Sequence, residues 1–217
     1  TSRRRVYGGV LLFVIITLIG MGRVTVDNST KSFFSPELIF ETDDKALNDR
    51  LGGTNTMYLL VEGAGDDAIK DPKILRAIGE LQRFLENQPY VGKTLSLADF
   101  IMRMNQAMHG DDPAYYKIPD SQELISQYLL LYSMSGEPGD FDSYVDYGYR
   151  SANLTVFLKT DSSAYIEKLV EKIHAFTALH FDKSVHIGIG GSVPQGAALN
   201  EVMVYGKILN ILQITVV

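Results

Sequence analysis

The chain contains no cysteine and no tryptophan among its 217 residues, and it has only four histidines. Without cysteine it can form no disulfide, no catalytic thiolate and no cysteine-ligated zinc site. Lys and Arg number 20 against 26 Asp and Glu, and the resulting net charge of −6 lacks the basic character of a nucleic-acid-binding protein. Thiol chemistry is therefore excluded, and we expect no nucleic acid as a partner.

Charge is also missing from a long run near the start of the chain. Residues 6–22 are uncharged, follow three arginines at 3–5 and end before Arg23. A run of this length approaches the about 20 residues needed to cross a bilayer, and the arginines would stay in the cytoplasm. We therefore predict a transmembrane helix at 1–23, with a cleaved signal peptide as the alternative.

A second uncharged run begins at Ile208. The segment before it, residues 196–207, includes Glu201 and Lys207 and is too polar for the middle of a bilayer, so we expect it to lie near the outer interface. Residues 192–217 are accordingly interpreted as a joint and the start of a second transmembrane helix. Between the two runs lie about 180 residues, which is enough to bury a proper core.

Strand-like and helix-like patterns alternate twice in that central part. After a connector at 24–55, residues 56–95 show a strand, a helix that begins at Asp71-Pro72, and a second strand. The same order returns at 151–191, and the intervening insert at 96–150 is mostly helical. Two such halves predict an α+β fold of the ferredoxin-like, split βαβ type, with an antiparallel four-stranded sheet carrying two helices on one face.

The insert is rich in methionine and tyrosine, which suit surfaces that accept varied apolar ligands. We expect its two helices to line a hydrophobic cleft. The candidate ligand-binding residues are Phe100, Ile101, Met104, Met108, Tyr128, Leu131 and Tyr132. Apolar residues at helical spacing also suit faces that pack on each other and on the sheet as core, and this alternative stays open.

Glycines follow the last predicted strand. Gly188, Gly190, Gly191 and Pro194 lie between the sheet and the C-terminal apolar run, where we expect a hinge. A phosphate-binding loop would need a third glycine at the right offset or a following Lys-Ser/Thr pair, and neither is present.

Neither a metal site nor a catalytic group is indicated by spacing. Glu137, Asp140, Asp142 and Asp146 lack the EF-hand pattern and suit a solvated loop, and no two histidines have the HxxxH spacing of a helical metal site. A hydrolase would need a triad that nothing in the sequence favours. We therefore expect no enzymatic activity, no metal and no cofactor.

The order of these segments resembles the resistance-nodulation-division (RND) superfamily of transporters. It looks most like the branch of hydrophobe exporters that includes the mycobacterial membrane-protein-large (MMPL) family and the hopanoid transporters. The segments that carry the resemblance are LGGTNTMYLLVEG (51–63), the helix at 71–86, residues 91–112, 118–136 and 151–160, and HIGIGGSVP (186–194).

The resemblance implies the periplasmic porter domain of a proton-driven exporter of lipid-like or hydrophobic compounds in a bacterial or archaeal inner membrane. Its implied partners are a hydrophobic or lipid-like small molecule, the remaining membrane helices and a second porter domain of the same transporter, and a homo-oligomer is compatible with it. In this family the proton-coupling residues lie in later membrane helices, so none is assigned here. The alternative is a membrane-tethered extracytoplasmic sensor or assembly domain without transport activity.

Overall fold

The computed structural model describes residues 3–21, 27, 29, 39–136 and 139–216. Within these residues the helices are α1 (Arg3–Met21), α2 (Ile39–Leu51), α3 (Pro72–Glu86), α4 (Leu97–Met108), α5 (Gln122–Ser135), α6 (Ser163–His180) and α7 (Ser192–Val216). The strands are β1 (Asn55–Glu62), β2 (Val91–Leu95), β3 (Ser151–Leu158) and β4 (His186–Gly190). Most of the first half of the predicted connector lies outside the described residues, and α2 occupies the second half.

The four strands form one antiparallel sheet in the order β2-β3-β1-β4. The central strands β1 and β3 pair along their whole length, from Asn55 opposite Leu158 to Glu62 opposite Ser151. Helix α3 connects β1 to β2, and α6 connects β3 to β4. Because neither pair of strands is adjacent in the sheet, both helices cross over the sheet. The outer strands, β2 and β4, are the last elements of the first and second βαβ unit.

Burial alternates along the central strands, so only one face of the sheet is covered. Met57, Leu59 and Val61 of β1 are fully buried, whereas Tyr58 and Leu60 between them are 42% and 45% exposed. This period of two is typical of an antiparallel sheet with one packed and one open face. The α+β molecule is therefore a sheet layer with helices on one side.

The covered face packs against α3 and α6, whose apolar stripes were evident from their spacing. Asp71 caps α3 by accepting a hydrogen bond from the Lys73 backbone N–H at 2.8 Å, and Pro72 occupies the first turn. The rings of Phe84 and Phe176 stack with centroids 4.6 Å apart and join the two helices. The helix residues buried in this core are Leu75, Ile78, Leu81 and Leu85 of α3 and Ile166, Leu169 and Ile173 of α6.

The predicted membrane-spanning helix at 1–23 is wrong. Among the described residues, no helix has both the length and the apolar character needed to cross a bilayer. The helix α1 begins with three arginines, so its apolar part, residues 6–21, extends only about 24 Å, less than the about 30 Å of hydrocarbon. The predicted start of a second transmembrane helix at 192–217 lies within α7 (Ser192–Val216) and stays a prediction. The fold class is thus corrected to α+β with a four-stranded antiparallel sheet and without a membrane-spanning helix in the described part.

Candidate functional site

The predicted cleft residues Ile101 and Tyr128 belong to the core between α4 and α5. Ile101 is buried, and Tyr128 is 5% exposed and donates its hydroxyl hydrogen bond to Asn105 Oδ1 at 3.0 Å. The Asn105 amide donates to the carbonyls of Tyr115 at 2.9 Å and Lys117 at 3.0 Å. Burial raises the pKa of the Tyr128 phenol, so the hydroxyl stays a donor at neutral pH. These contacts join α4, α5 and the loop between them.

Phe100 and Tyr132 are brought together through the loop that follows α5. The ring of Phe141 lies 5.4 Å from Phe100 and 4.6 Å from Tyr132, and Tyr144 lies 4.8 Å from Phe100, all between centroids. We call Phe100, Tyr132, Phe141 and Tyr144 the aromatic cluster. Tyr132 donates its hydroxyl to Asp140 Oδ2 at 3.1 Å, and this hydrogen bond raises the pKa of Tyr132. The cluster was only half evident from the sequence, because Phe141 and Tyr144 lie outside any helical pattern.

The other candidates lie apart from the aromatic cluster. Met104 is partly buried against the core, whereas Met108 and Leu131 are 57% and 50% exposed. The structure therefore distributes the predicted cleft residues over the core, the aromatic cluster and the surface. Where the helix faces of α4 and α5 meet, their apolar side chains pack on each other.

A groove opens beside the aromatic cluster, between the turn after β1, the end of α5 and the loop before β3. Its volume is about 630 Å³. Its aromatic and apolar lining comes from Tyr132, Phe141, Val145, Tyr147 and Tyr149, and its charged lining from Asp66, Asp67, Asp140, Asp142, Asp146 and Lys70. Apart from Tyr132, these residues were interpreted from sequence as solvated loops or not singled out, because three separated segments build the groove.

Backbone hydrogen bonds hold the two walls of the groove together. The Asp67 N–H donates to the Gly148 carbonyl at 2.8 Å, and the Ile69 N–H donates to the Tyr149 carbonyl at 2.9 Å. Lys70 bridges the same two segments, because its ammonium group lies 2.6 Å from Asp67 Oδ1 and 4.1 Å from the centroid of the Tyr149 ring. The groove is thus an integral part of the folded unit.

The groove has a negative electrostatic character. Five aspartates and a single lysine line it, and that lysine is already paired with Asp67. Two of the carboxylates also satisfy neighbouring donors, since Asp140 accepts from Tyr132 and Asp146 accepts from the Ser151 N–H at 2.7 Å. Across the described residues, no three acidic or histidine side chains are grouped so that they could hold a metal ion. The arrangement suits a ligand with an apolar body and a positively charged or hydrogen-bond-donating head.

Three of the four predicted hinge residues lie in regular structure. Gly188 and Gly190 are paired with β1 in strand β4, and Pro194 lies in the first turn of α7. Gly191 joins the two elements with φ +112°, a conformation that disfavours any other residue, and a Cβ there would lie 3.0 Å from the Thr56 carbonyl oxygen. A change of direction between strand and helix is therefore concentrated at Gly191.

The start of α7 is anchored to the folded unit. Val193, Ala197 and Asn200 are buried, and the Asn200 amide donates to Ser163 Oγ at 3.2 Å. Because Ser163 is the first residue of α6, this hydrogen bond joins the start of α6 to α7. The later turns of α7 expose large apolar side chains such as Val202 and Ile214.

The comparisons with family models and curated proteins identify no relative of this chain. No model of a known protein family matches the chain, and no curated protein shows significant similarity to it. The resemblance to the RND superfamily is thus an expectation from the sequence, and its consequences are proposals.

Proposed function

We propose that this chain is an extracytoplasmic porter unit of an RND-type exporter for lipid-like or hydrophobic compounds in a bacterial or archaeal inner membrane, and that it is not an enzyme. The observation that supports this best is the groove beside the aromatic cluster. Its volume of about 630 Å³ falls within the about 300–1,000 Å³ of small-molecule sites. Tyrosine and phenylalanine rings on its walls can cover an apolar ligand without any specific chemistry.

In this proposal the sheet and the helices packed on it move as one rigid unit. The core shared by the sheet, α3 and α6 resists deformation, so a force applied through α7 would turn the unit as a whole about the strand–helix corner at Gly191. Membrane helices and a second porter domain elsewhere in the transporter would supply that motion and close the second side of the groove. Each cycle would then bury apolar surface of the cargo and expose it again, with a free-energy change of about 25 cal/mol per Å².

The charge of the groove narrows the class of cargo. Asp142 and Asp146 line it together with the aspartates of the turn after β1, so an anionic head group would be repelled. A cationic or neutral amphiphile fits better, because an ammonium group can lie against both a carboxylate and a tyrosine ring. We therefore propose cationic and neutral amphiphiles as preferred cargo over fatty acids and other anionic lipids.

Ligand binding can be tested on the full chain by calorimetry with dodecyltrimethylammonium and dodecyl sulfate below their micelle concentrations. We expect the cationic probe to bind more tightly. Tyr147→Ala removes a fully exposed groove ring that packs on nothing in the core, and loss of one cation–π contact of about 0.5–1 kcal/mol should weaken binding about threefold. Tyr205→Ala, at an exposed tyrosine of α7, is the matched control and should change nothing. Equal loss in both variants, or tighter binding of dodecyl sulfate, would contradict the proposed site.

Transport can be tested in the source cell. A strain lacking the gene should accumulate more of a lipophilic cationic dye than its parent, and a protonophore should abolish the difference, because the exporter is driven by the proton gradient. A sensor or assembly domain would also bind ligand in the groove but would leave dye accumulation unchanged. Binding without any effect on accumulation would therefore favour the sensor alternative.

A further inference from the structure

The two edges of the sheet differ in how far they are protected from pairing with another strand. At β2 the register shifts between Val91 and Lys93, and Gly92 packs against the backbone of Gly52. A bulge, a lysine and a covering segment are devices that block an edge. Strand β4 pairs with β1 in unbroken register over all five of its residues and contains no charged residue and no proline.

The direction of the free backbone groups of β4 follows from the ladder. The Gly63 N–H donates to the Arg150 carbonyl at 2.9 Å, which extends the β1–β3 ladder and makes the odd-numbered residues of β1 the ones bonded to β3. The even-numbered residues therefore bond to β4, opposite His186, Gly188 and Gly190. By the same alternation, Ile187 and Ile189 direct their N–H and C=O groups away from the sheet. In the described part of the chain, no strand lies beyond β4.

We infer that β4 pairs with β4 of a second copy of this chain, antiparallel and about a twofold axis through Gly188. In this register Ile187 of one protomer lies opposite Ile189 of the other, and each pair exchanges two backbone hydrogen bonds. Both isoleucines are partly buried against the core of their own protomer, so the pairing joins two packed layers side by side. The strand is self-complementary because the residues with free groups are equidistant from Gly188, as a twofold contact requires.

The glycines of β4 indicate that another strand can approach it closely. A Cβ at Gly188 would meet only Leu60 Cβ, at 3.7 Å, and one at Gly190 would meet nothing within 4 Å. The protomer itself therefore does not require glycine at either position. Glycine within a strand weakens it and often marks close approach of another backbone. On the twofold axis, Gly188 faces its own copy at a non-hydrogen-bonded position, where Cα atoms are only about 4.5 Å apart.

A five-residue strand buries much less than the about 1,200 Å² of a stable interface, so the association is weak and depends on concentration. It is independent of the proposed transport function. Sedimentation equilibrium of the full chain at low ionic strength and pH 8 measures it. We expect a reversible monomer–dimer equilibrium.

Gly188→Lys is the decisive variant. Two lysines would face each other at the axis, and like charges directly opposite are destabilising, so we expect the dissociation constant to increase about fivefold while the circular dichroism and melting temperature stay unchanged. Gly190→Lys is the matched control, because it adds the same charge to the same open face but in the paired strands lies opposite His186 and not opposite a second lysine. It should dimerise like the parent chain.

Opposite charges at position 188 in two variants distinguish this contact from any other self-association. Gly188→Asp should be monomeric alone and should form a heterodimer when mixed with Gly188→Lys. A parent chain that is monomeric at every concentration, a Gly188→Lys variant that dimerises like the parent, or a mixture that fails to form heterodimers would each overturn the inference.

Discussion

At Gly92 the chain passes so close to another segment that no side chain can be accommodated. A Cβ there would lie 1.6 Å from the Gly52 carbonyl oxygen, and the contact is with backbone, which cannot rotate away. Gly92→Ala should therefore cost more than about 2 kcal/mol of unfolding free energy. Gly79→Ala is the control: it lies in α3 with nothing within 4 Å, so it should stabilise by about 0.5–1 kcal/mol. Urea unfolding measures both, and equal effects would contradict the close approach.

Glu123 is a second position where one contact has a measurable effect. Its carboxylate accepts a hydrogen bond from Ser121 Oγ at 2.6 Å, which lowers the pKa of Glu123 below the ordinary value. A lowered folded-state pKa stabilises the fold above the ordinary glutamate pKa, and this contribution is lost as pH falls through the lower folded pKa. Ser121→Ala should return the pKa of Glu123 towards its ordinary range in an NMR titration. No change in that variant would show that Ser121 is not the cause.

The helices α4 and α5 are held in place by a buried amide. Asn105 is 3% exposed and pairs with the Tyr128 hydroxyl and two loop carbonyls, so Asn105→Leu leaves the buried Tyr128 hydroxyl and the Lys117 carbonyl without this partner. We expect a loss of about 2–3 kcal/mol, as for unsatisfied buried polar groups. Tyr128→Phe removes one partner only and should cost about 1 kcal/mol. Thermal unfolding distinguishes them, and a larger loss in Tyr128→Phe would place the main contact elsewhere.

The same elements show what local patterns can and cannot predict. The Ser96–Asp99 capping box and the Asp71-Pro72 start were recognisable from the sequence because caps act within one turn of chain. Which apolar face of α5 is buried was not, since both faces carry leucine. Leu129 is buried and Leu130 is exposed, and only the position of the sheet and α4 makes that difference.

For the whole molecule, the two βαβ halves should unfold as one unit because they share a core. The stacked rings of Phe84 and Phe176 belong to different halves. A double-mutant cycle with Phe84→Leu and Phe176→Leu should give a coupling energy of about 0.5–1.5 kcal/mol, and chemical unfolding should stay a single transition. Additive effects or two transitions would mean that the halves are energetically separate.

Strand and helix positions, the alternation along β3, and the absence of thiol chemistry follow from the amino-acid sequence by itself, because a period of two or 3.6 and a cap depend on neighbouring residues only. The groove, the burial of Tyr128 and the unprotected edge at β4 were decided by the tertiary structure. Each of these features involves segments far apart in the chain, and the type of an apolar residue does not indicate which distant surface will cover it. The error at 1–23 has a different and local cause, because an uncharged run suggested a spanning length that the apolar part of α1 does not reach.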